Sequence, residues 1–442
     1  MVEYISENSM VNTCMKGLFN VIDQVNCSSK EFDGIYHYTS TEVLDSLLTE
    51  ATFWASNLYY LNDSSEYQTG IFFLKKIFAE KIKDNPEMDE QRRFCIKCIE
   101  EIQELDGYSW PGIFSISFSI EEDILNQWLT YAKEGGVCIK FEKEIMLGKG
   151  QKDDSLIIEE VHDGKGILAV HPGNIAKMIY DNNIDKINAV DIIEIIREML
   201  EGLYNIESNE INEFVKYKKN IKFFFALLAS YVKNGNFVIE DEIRMLCPFM
   251  ETLEKKTAAK IFYKRRTNGI LRPYIKVRFR QGEELLSASP KLPIQKIIVG
   301  PAGNQDAVFN SIVHRVEHGN PAVWKYGIQY LEKFLVDYVQ EYLKRVKEGN
   351  KTEAEQSVNY ILYEWCRRSG YTYMFSIKVN NNRFIPTIHI GDITDVENKS
   401  IEKEKDSELS GSLEKDIVSW KKDNFLSKQG VWIKKSKIPF AY

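Results

Sequence analysis

Residues 113–141 read IFSISFSIEEDILNQWLTYAKEGGVCIKF, and this stretch decides the fold class. Residues 113–119 alternate apolar and small polar side chains, the period-two signature of a strand with one face in a core. Ser119-Ile120-Glu121-Glu122 then offers a capping box, which predicts a helix from Ile120 to Lys133. Gly135-Gly136 stops that helix, and residues 137–141 supply a second strand. Within the predicted helix Asp123, Gln127 and Tyr131 are spaced by four and share one stripe. Leu125, Trp128, Leu129 and Ala132 take the opposite face, which is expected to enter the core. The polar stripe fits a solvated surface. Gln127 and Tyr131, beside Ser117 and Ser119, also fit the wall of a pocket that bonds ribose hydroxyls.

The same alternation of elements extends in both directions. Thr39-Ser40-Thr41-Glu42 is another capping box ahead of a helical pattern, and a short apolar run at 52–55 reads as a strand. Helices are predicted at about 61–83, 88–105, 188–204 and 209–233, the last stopped by Asn234-Gly235. Strands are predicted at 237–246, 274–279 and 294–299. Beyond them come helices at 321–348 and 352–368, a hairpin of 371–379 with 384–390, a charged, Ser-rich loop at 395–416, and a closing strand at 430–440. No internal repeat is visible. Strands and helices in this order predict an α+β protein.

Composition narrows the class. In 442 residues, 44% hydrophobic content is enough for a substantial core. The start MVEYISENSMV lacks a basic segment followed by an apolar run, so no secretory signal is expected. The longest apolar run, 223–232, is half of what a bilayer span needs. Seven cysteines, an odd number in a long chain, point to reduced thiols rather than a disulfide framework. A soluble, cytoplasmic protein without membrane association is the expectation. Net charge is −8, which argues against a polyanion binder overall, yet ten Lys and Arg and no Asp or Glu fall between Lys255 and Gly282. That run, ending in its last cation at Arg280, fits a solvated face or a phosphate-binding edge.

Four motifs carry possible chemistry. His37 sits at a predicted strand end, where a structural hydrogen bond and a catalytic role both fit. Asn62-Asp63 with Glu66 is a helix cap. Glu240-Asp241-Glu242-Ile243-Arg244 is the strongest candidate. Strand period puts Glu240, Glu242 and Arg244 on one face, where neighbouring carboxylates repel and one is expected to titrate high, with Arg244 holding a carboxylate ionised. Such a group suits stabilising a cationic transition state, and an exposed salt-bridged edge strand suits the same pattern. Cys95 and Cys98 form a C-x-x-C inside a helix, which reads as core rather than metal or redox chemistry. No metal site is expected.

In order, Tyr36-His37-Tyr38-Thr39, Leu61-Asn62-Asp63 with Glu66, Ser117-Phe118-Ser119, Asp123 with Gln127-Trp128 and Tyr131, residues 136–141, Glu240-x-Glu242-x-Arg244 and Ile298-Val299-Gly300-Pro301 resemble the bacterial family called domain of unknown function 2971. The resemblance covers about 31–319, and Ser436-Lys437-Ile438-Pro439-Phe440 resembles that family's closing Ser-x-Ile-Pro strand. It implies a core of 1–319, an inserted helical and hairpin lobe at 320–420, and a closing core strand in 421–442. The family pattern is in turn similar to that of ADP-ribosyltransferases, which bind NAD in the cleft of a split β-sheet.

By that similarity His37 bonds the ribose or adenosine side of NAD, and Tyr131 or Trp128 packs on nicotinamide. Glu242 bonds the nicotinamide-ribose 2′-hydroxyl and stabilises the oxocarbenium ion, and Glu240 orients or activates the acceptor. Tyr38, Thr39, Ser117, Ser119, Gln127 and Arg244 complete the implied NAD-binding set. The Glu-x-Glu branch of those enzymes begins with Arg where this chain has His37. The implied activity is an NAD-dependent ADP-ribosyltransferase serving as a toxin or antiviral defence effector. A nucleotide or nucleic-acid binding module without turnover, using the Lys255 to Arg280 stretch, and an NAD or nucleotide hydrolase are the alternatives.

Overall fold

Residues 13–24, 32–61, 66–79, 88–104, 112–147, 156–158, 168–170, 175–204, 210–249, 261–265, 271–279, 291–324, 326–346, 351–380, 383–392 and 411–438 are described by the computed structural model of the chain. Asn62-Asp63 and much of the basic run lie outside them. The chain divides into two compact units, each assembled from separated stretches. The first holds Met1–Ile35, Thr52–Glu121 and Lys143–Lys291; the second holds Tyr36–Ala51, Glu122–Glu142 and Leu292–Tyr442.

In the first unit, strand Gly112–Ser119 pairs antiparallel with Glu242–Phe249 along its full length. Thr52–Asn57 pairs with Leu271–Phe279, which also pairs with Phe262–Arg265. Helices Glu66–Ala79, Asp89–Gln103, Ala189–Tyr204 and Lys218–Ala229 build the large apolar core. Lys218–Ala229 is apolar on nearly every side, as a helix at the centre of a core must be. It meets helix Glu66–Ala79 at Gly70, where a Cβ would fall 2.2 Å from the Ala229 carbonyl oxygen.

Two expectations fail here. The helix predicted over 209–233 is two helices, Ile211–Lys216 and Lys218–Ala229, and Val232–Lys233 is a strand parallel to Ile179–Tyr180. The terminal Ser230 carbonyl is taken by the Arg244 guanidinium at 2.8 Å, which satisfies an end carbonyl without a further turn. The strand predicted over 237–246 begins later. Asn234 accepts from Asn236 N at 2.9 Å and opens a 3₁₀ turn, Gly235–Glu240. Asp241 is left-handed at φ 43, and only Glu242–Phe249 is strand.

The second unit has a sheet ordered Asn424–Leu426, Trp432–Lys435, Ile294–Val299, Val137–Phe141, Ile35–Thr39. Its closing strand Trp432–Lys435 pairs in parallel with Ile294–Val299. Helices Ile328–Leu343 and Lys351–Ser369 pack on a separate two-stranded hairpin, Tyr371–Asn380 with Arg383–Asp392. Helix Gly411–Asp423 occupies the end of what reads in sequence as a loop at 395–416, because Leu413, Ile417 and Trp420 recur at helical spacing and are buried. Trp420 donates to Tyr338 at 3.1 Å, and Tyr338 packs edge-on against Trp432 at 5.4 Å, so these helices share a core with the closing strand.

The predicted helix at 120–133 also changes form. Asp123 is left-handed at φ 61, only Leu125–Gln127 is α-helical, and Trp128–Ala132 is a π-turn with Lys133 N donating to Trp128 O at 2.7 Å. The wider turn places Trp128 and Ala132 together in the core and leaves Leu129 65% exposed, with Leu125 also in solvent. The expected apolar face of four residues is therefore split. Helices, antiparallel strands and parallel pairs together make a mixed α+β protein. No helix among the described residues is long and apolar enough to cross a membrane.

Candidate functional site: a buried charge network

Strand register brings two sequence motifs together in the first unit. Glu242 stands opposite Ser119, and Arg244 opposite Ser117. The Glu242 carboxylate, 5% exposed as a residue, is gripped on both oxygens. Arg244 donates to Oε1 from Nε at 2.9 Å and from Nη2 at 2.7 Å. Lys233 Nζ donates to Oε2 at 2.5 Å and to Glu240 Oε2 at 2.6 Å. Arg244, 2% exposed, also donates to Glu66. The Glu242 backbone N–H donates to the Tyr180 hydroxyl at 3.1 Å. Glu240, although outside the strand, therefore still joins Glu242 through a lysine.

Burial on its own would push the Glu242 carboxyl up. The Arg244 guanidinium and then the Lys233 ammonium overcome it, and with the Ser117 hydroxyl they bring it down to about 2. This corrects the expectation that Glu240 and Glu242 repel so that one titrates high: Lys233 stands between them. Burial opposes the Lys233 charge, but the Glu242, Glu66 and Glu240 carboxylates raise it above its ordinary value.

Lys233 and Glu66 are the members that the sequence set missed. Lys233 ends an apolar run just before Asn234-Gly235, and a lysine there is a signal for a buried partner. Glu66 reads as a helix cap but supplies a carboxylate to Arg244.

Two cavities lie in the same unit. One of about 10 Å³ is bordered by Glu66, Tyr67, Ser230 and Arg244 and has room for a single water. The other, about 390 Å³, is lined by Phe32, Asp33, Ile120, Glu121 and Lys143, and it is in the size range of ligand pockets. Its wall is tied to the charge network by Ser119, whose Oγ donates to the Glu240 carbonyl at 3.3 Å and accepts from Glu121 N at 3.2 Å. Ile120 N also donates to Asp241 O at 3.1 Å.

The remaining residues of the sequence set, His37, Tyr38, Thr39, Gln127, Trp128 and Tyr131, belong to the second unit. Tyr38 packs edge-on against Trp128 at 5.0 Å, and its hydroxyl accepts from Ile124 N at 3.0 Å. Trp128 donates to Asp123 at 3.0 Å and is backed by Gly300, where a Cβ would lie 2.7 Å from its ring. Gln127 and Thr39 are buried and His37 is half-buried. Of the two rings assigned to nicotinamide, Trp128 is enclosed and Tyr131 is exposed.

The described part of the basic run forms strands Phe262–Arg265 and Leu271–Phe279. Trp54, Tyr274 and Phe262 stack across these strands with centroids 4.8 and 5.5 Å apart. Lys264 lies 5.0 Å over Trp54, and Lys276 lies 5.3 Å over Phe262. Lys255 and Arg280 lie outside the described residues. The cysteines of the C-x-x-C, Cys95 and Cys98, are buried core thiols raised by burial. No group of three or more His, Cys, Asp and Glu among the described residues is arranged to hold a metal. Comparison with protein-family models, with curated proteins and with solved structures found no match for this chain.

Proposed function

We propose that the protein acts on NAD or a closely related nucleotide, transferring ADP-ribose, with Glu242 as the fixed anion of the reaction. As nicotinamide leaves with the bonding electrons, positive charge develops at the anomeric carbon. A carboxylate whose ionised state the fold already maintains stabilises that charge without reorganising. The observation that supports the reading is the grip of Arg244 and Lys233 on Glu242, which holds its carboxyl well below the ordinary carboxylate range. Its position opposite Ser119, beside the wall of the 390 Å³ cavity, agrees with the reading. Membership of the domain of unknown function 2971 family, and an ADP-ribosyltransferase-like core, are part of this proposal. Nicotinamide release from NAD tests it. Wild type should release nicotinamide, and Glu242→Gln, checked for native circular dichroism, should not; equal release by both would remove Glu242 from the chemistry.

A second reading, a nucleic-acid binding module without turnover, is favoured by the stacked Trp54, Tyr274 and Phe262 with Lys264 and Lys276 over the end rings. Aromatic and cationic side chains interleaved on one sheet face suit single strands. Log affinity for an oligonucleotide should then fall with log salt by about 0.7 per neutralised phosphate. A flat response would exclude this reading.

A further inference from the structure

The second unit carries a charge cluster of opposite sign. Lys296, on strand Ile294–Val299, stands directly opposite Lys140 of Val137–Phe141 and beside Trp432 of the closing strand. Lys434 lies two residues beyond Trp432 and shares its face. Glu122 accepts from Lys296 on one oxygen at 2.9 Å and from Lys434 on the other at 3.2 Å. The two ammonium groups lie 4.3 and 5.4 Å over the Trp432 ring. Lys140 has its ammonium 5.7 Å over Tyr36 and pairs with no carboxylate among the described residues. Lys296 and Lys434 are both buried.

Lys296 and Lys434 share one carboxylate and Lys140 has none, so three positive charges stand against one negative, a surplus of two. Like charges directly opposite in an antiparallel pair destabilise it. Burial, reinforced by Lys434 and Lys140, lowers Lys296 to about 8 even though Glu122 pulls the other way. An added negative charge beside these lysines would offset their mutual repulsion.

We propose that Lys140, Lys296 and Lys434 form a binding site for a phosphoryl group, which bridges Lys140 to the pair held by Glu122. A phosphate monoester carries about −1.5 to −2 near neutral pH, which matches the surplus. Lysines bind phosphate as point charges and need no planar fork. The Trp432 and Tyr36 rings keep the ammonium groups in place before the ligand arrives. The site is independent of Glu242 and its chemistry.

Calorimetric titration of the full chain with inorganic phosphate at low salt tests the site. Saturable binding at pH 7 is expected, with acetate, a monoanion, binding more weakly. Lys140→Gln, at a half-buried position with no carboxylate partner, should keep the fold and weaken phosphate binding at least about tenfold. Binding should also fade as pH rises through about 8, where Lys296, faced by Glu122, Lys434, Lys140 and the uncharged Trp432, loses its proton. Absence of saturable binding, acetate binding as tightly as phosphate, or a Lys140→Gln variant that binds like wild type would each overturn the proposal.

Discussion

Lys233 Nζ lies 2.5 Å from the Glu242 carboxylate in the interior of the first unit. The same ammonium holds Glu240, so one lysine unites the two acids of the Glu-x-Glu motif. Arg244 grips the other oxygen of Glu242 and reaches Glu66. The network ties strand Glu242–Phe249, strand Val232–Lys233 and helix Glu66–Ala79 to one another.

Glu242→Gln should destabilise the fold as well as end turnover. Removing one member of a buried ion network leaves the others without a counter-charge and costs about 3–5 kcal/mol. Chemical denaturation measures this; a variant as stable as wild type would show that the network does not close on Glu242.

That loss should depend on pH. Glu242 titrates at about 2 in the fold and near 4.5 when unfolded, so its contribution is complete above the unfolded value and disappears as pH falls through the folded one. The stability difference between wild type and Glu242→Gln should shrink steadily as pH falls from about 4.5 towards 2. A difference that stays constant across that window would contradict the depressed carboxyl.

Lys233→Met should leave Glu240 and Glu242 repelling each other in a dry interior. Stability at pH 7 should drop by about 3 kcal/mol or more. The drop should be smaller in mildly acidic solution, where a proton replaces the lost cation. Adding Glu240→Gln should recover part of it, and strict additivity in this double-mutant cycle would mean that the two residues do not interact.

Gly70→Ala tests the helix contact that seats Glu66. The new Cβ would meet the Ala229 carbonyl at 2.2 Å, so the helices must separate. A loss of about 1–3 kcal/mol is expected from the overpacking. A melting temperature equal to that of wild type would refute the close approach.

The regular strands were legible because their pattern is local. The sequence pattern of 137–141 and 294–299 has the same boundaries as the strands in the structure, and that of 113–119 misses only Gly112. The segments that went wrong are decided by distant partners. Arg244 ends the helix at Ser230, and the Asp181 carboxylate accepts from Gly235 N at 2.7 Å, fixing a turn where apolar residues suggested a strand. The π-turn at Trp128–Ala132 changes the angular period on which the stripe of Asp123, Gln127 and Tyr131 depended. In the site, the acids and the arginine were visible as a motif. Lys233 was legible only as a lysine that would need a buried partner, because its place beside an apolar run does not say which carboxylates it meets until the chain folds.

Mass spectrometry of NAD incubated with the pure protein tests the central claim most directly. The account predicts nicotinamide together with ADP-ribose attached to protein or another acceptor, and neither product with Glu242→Gln. NAD recovered intact from the wild-type protein would contradict it, and nicotinamide with only free ADP-ribose would contradict transfer in favour of hydrolysis.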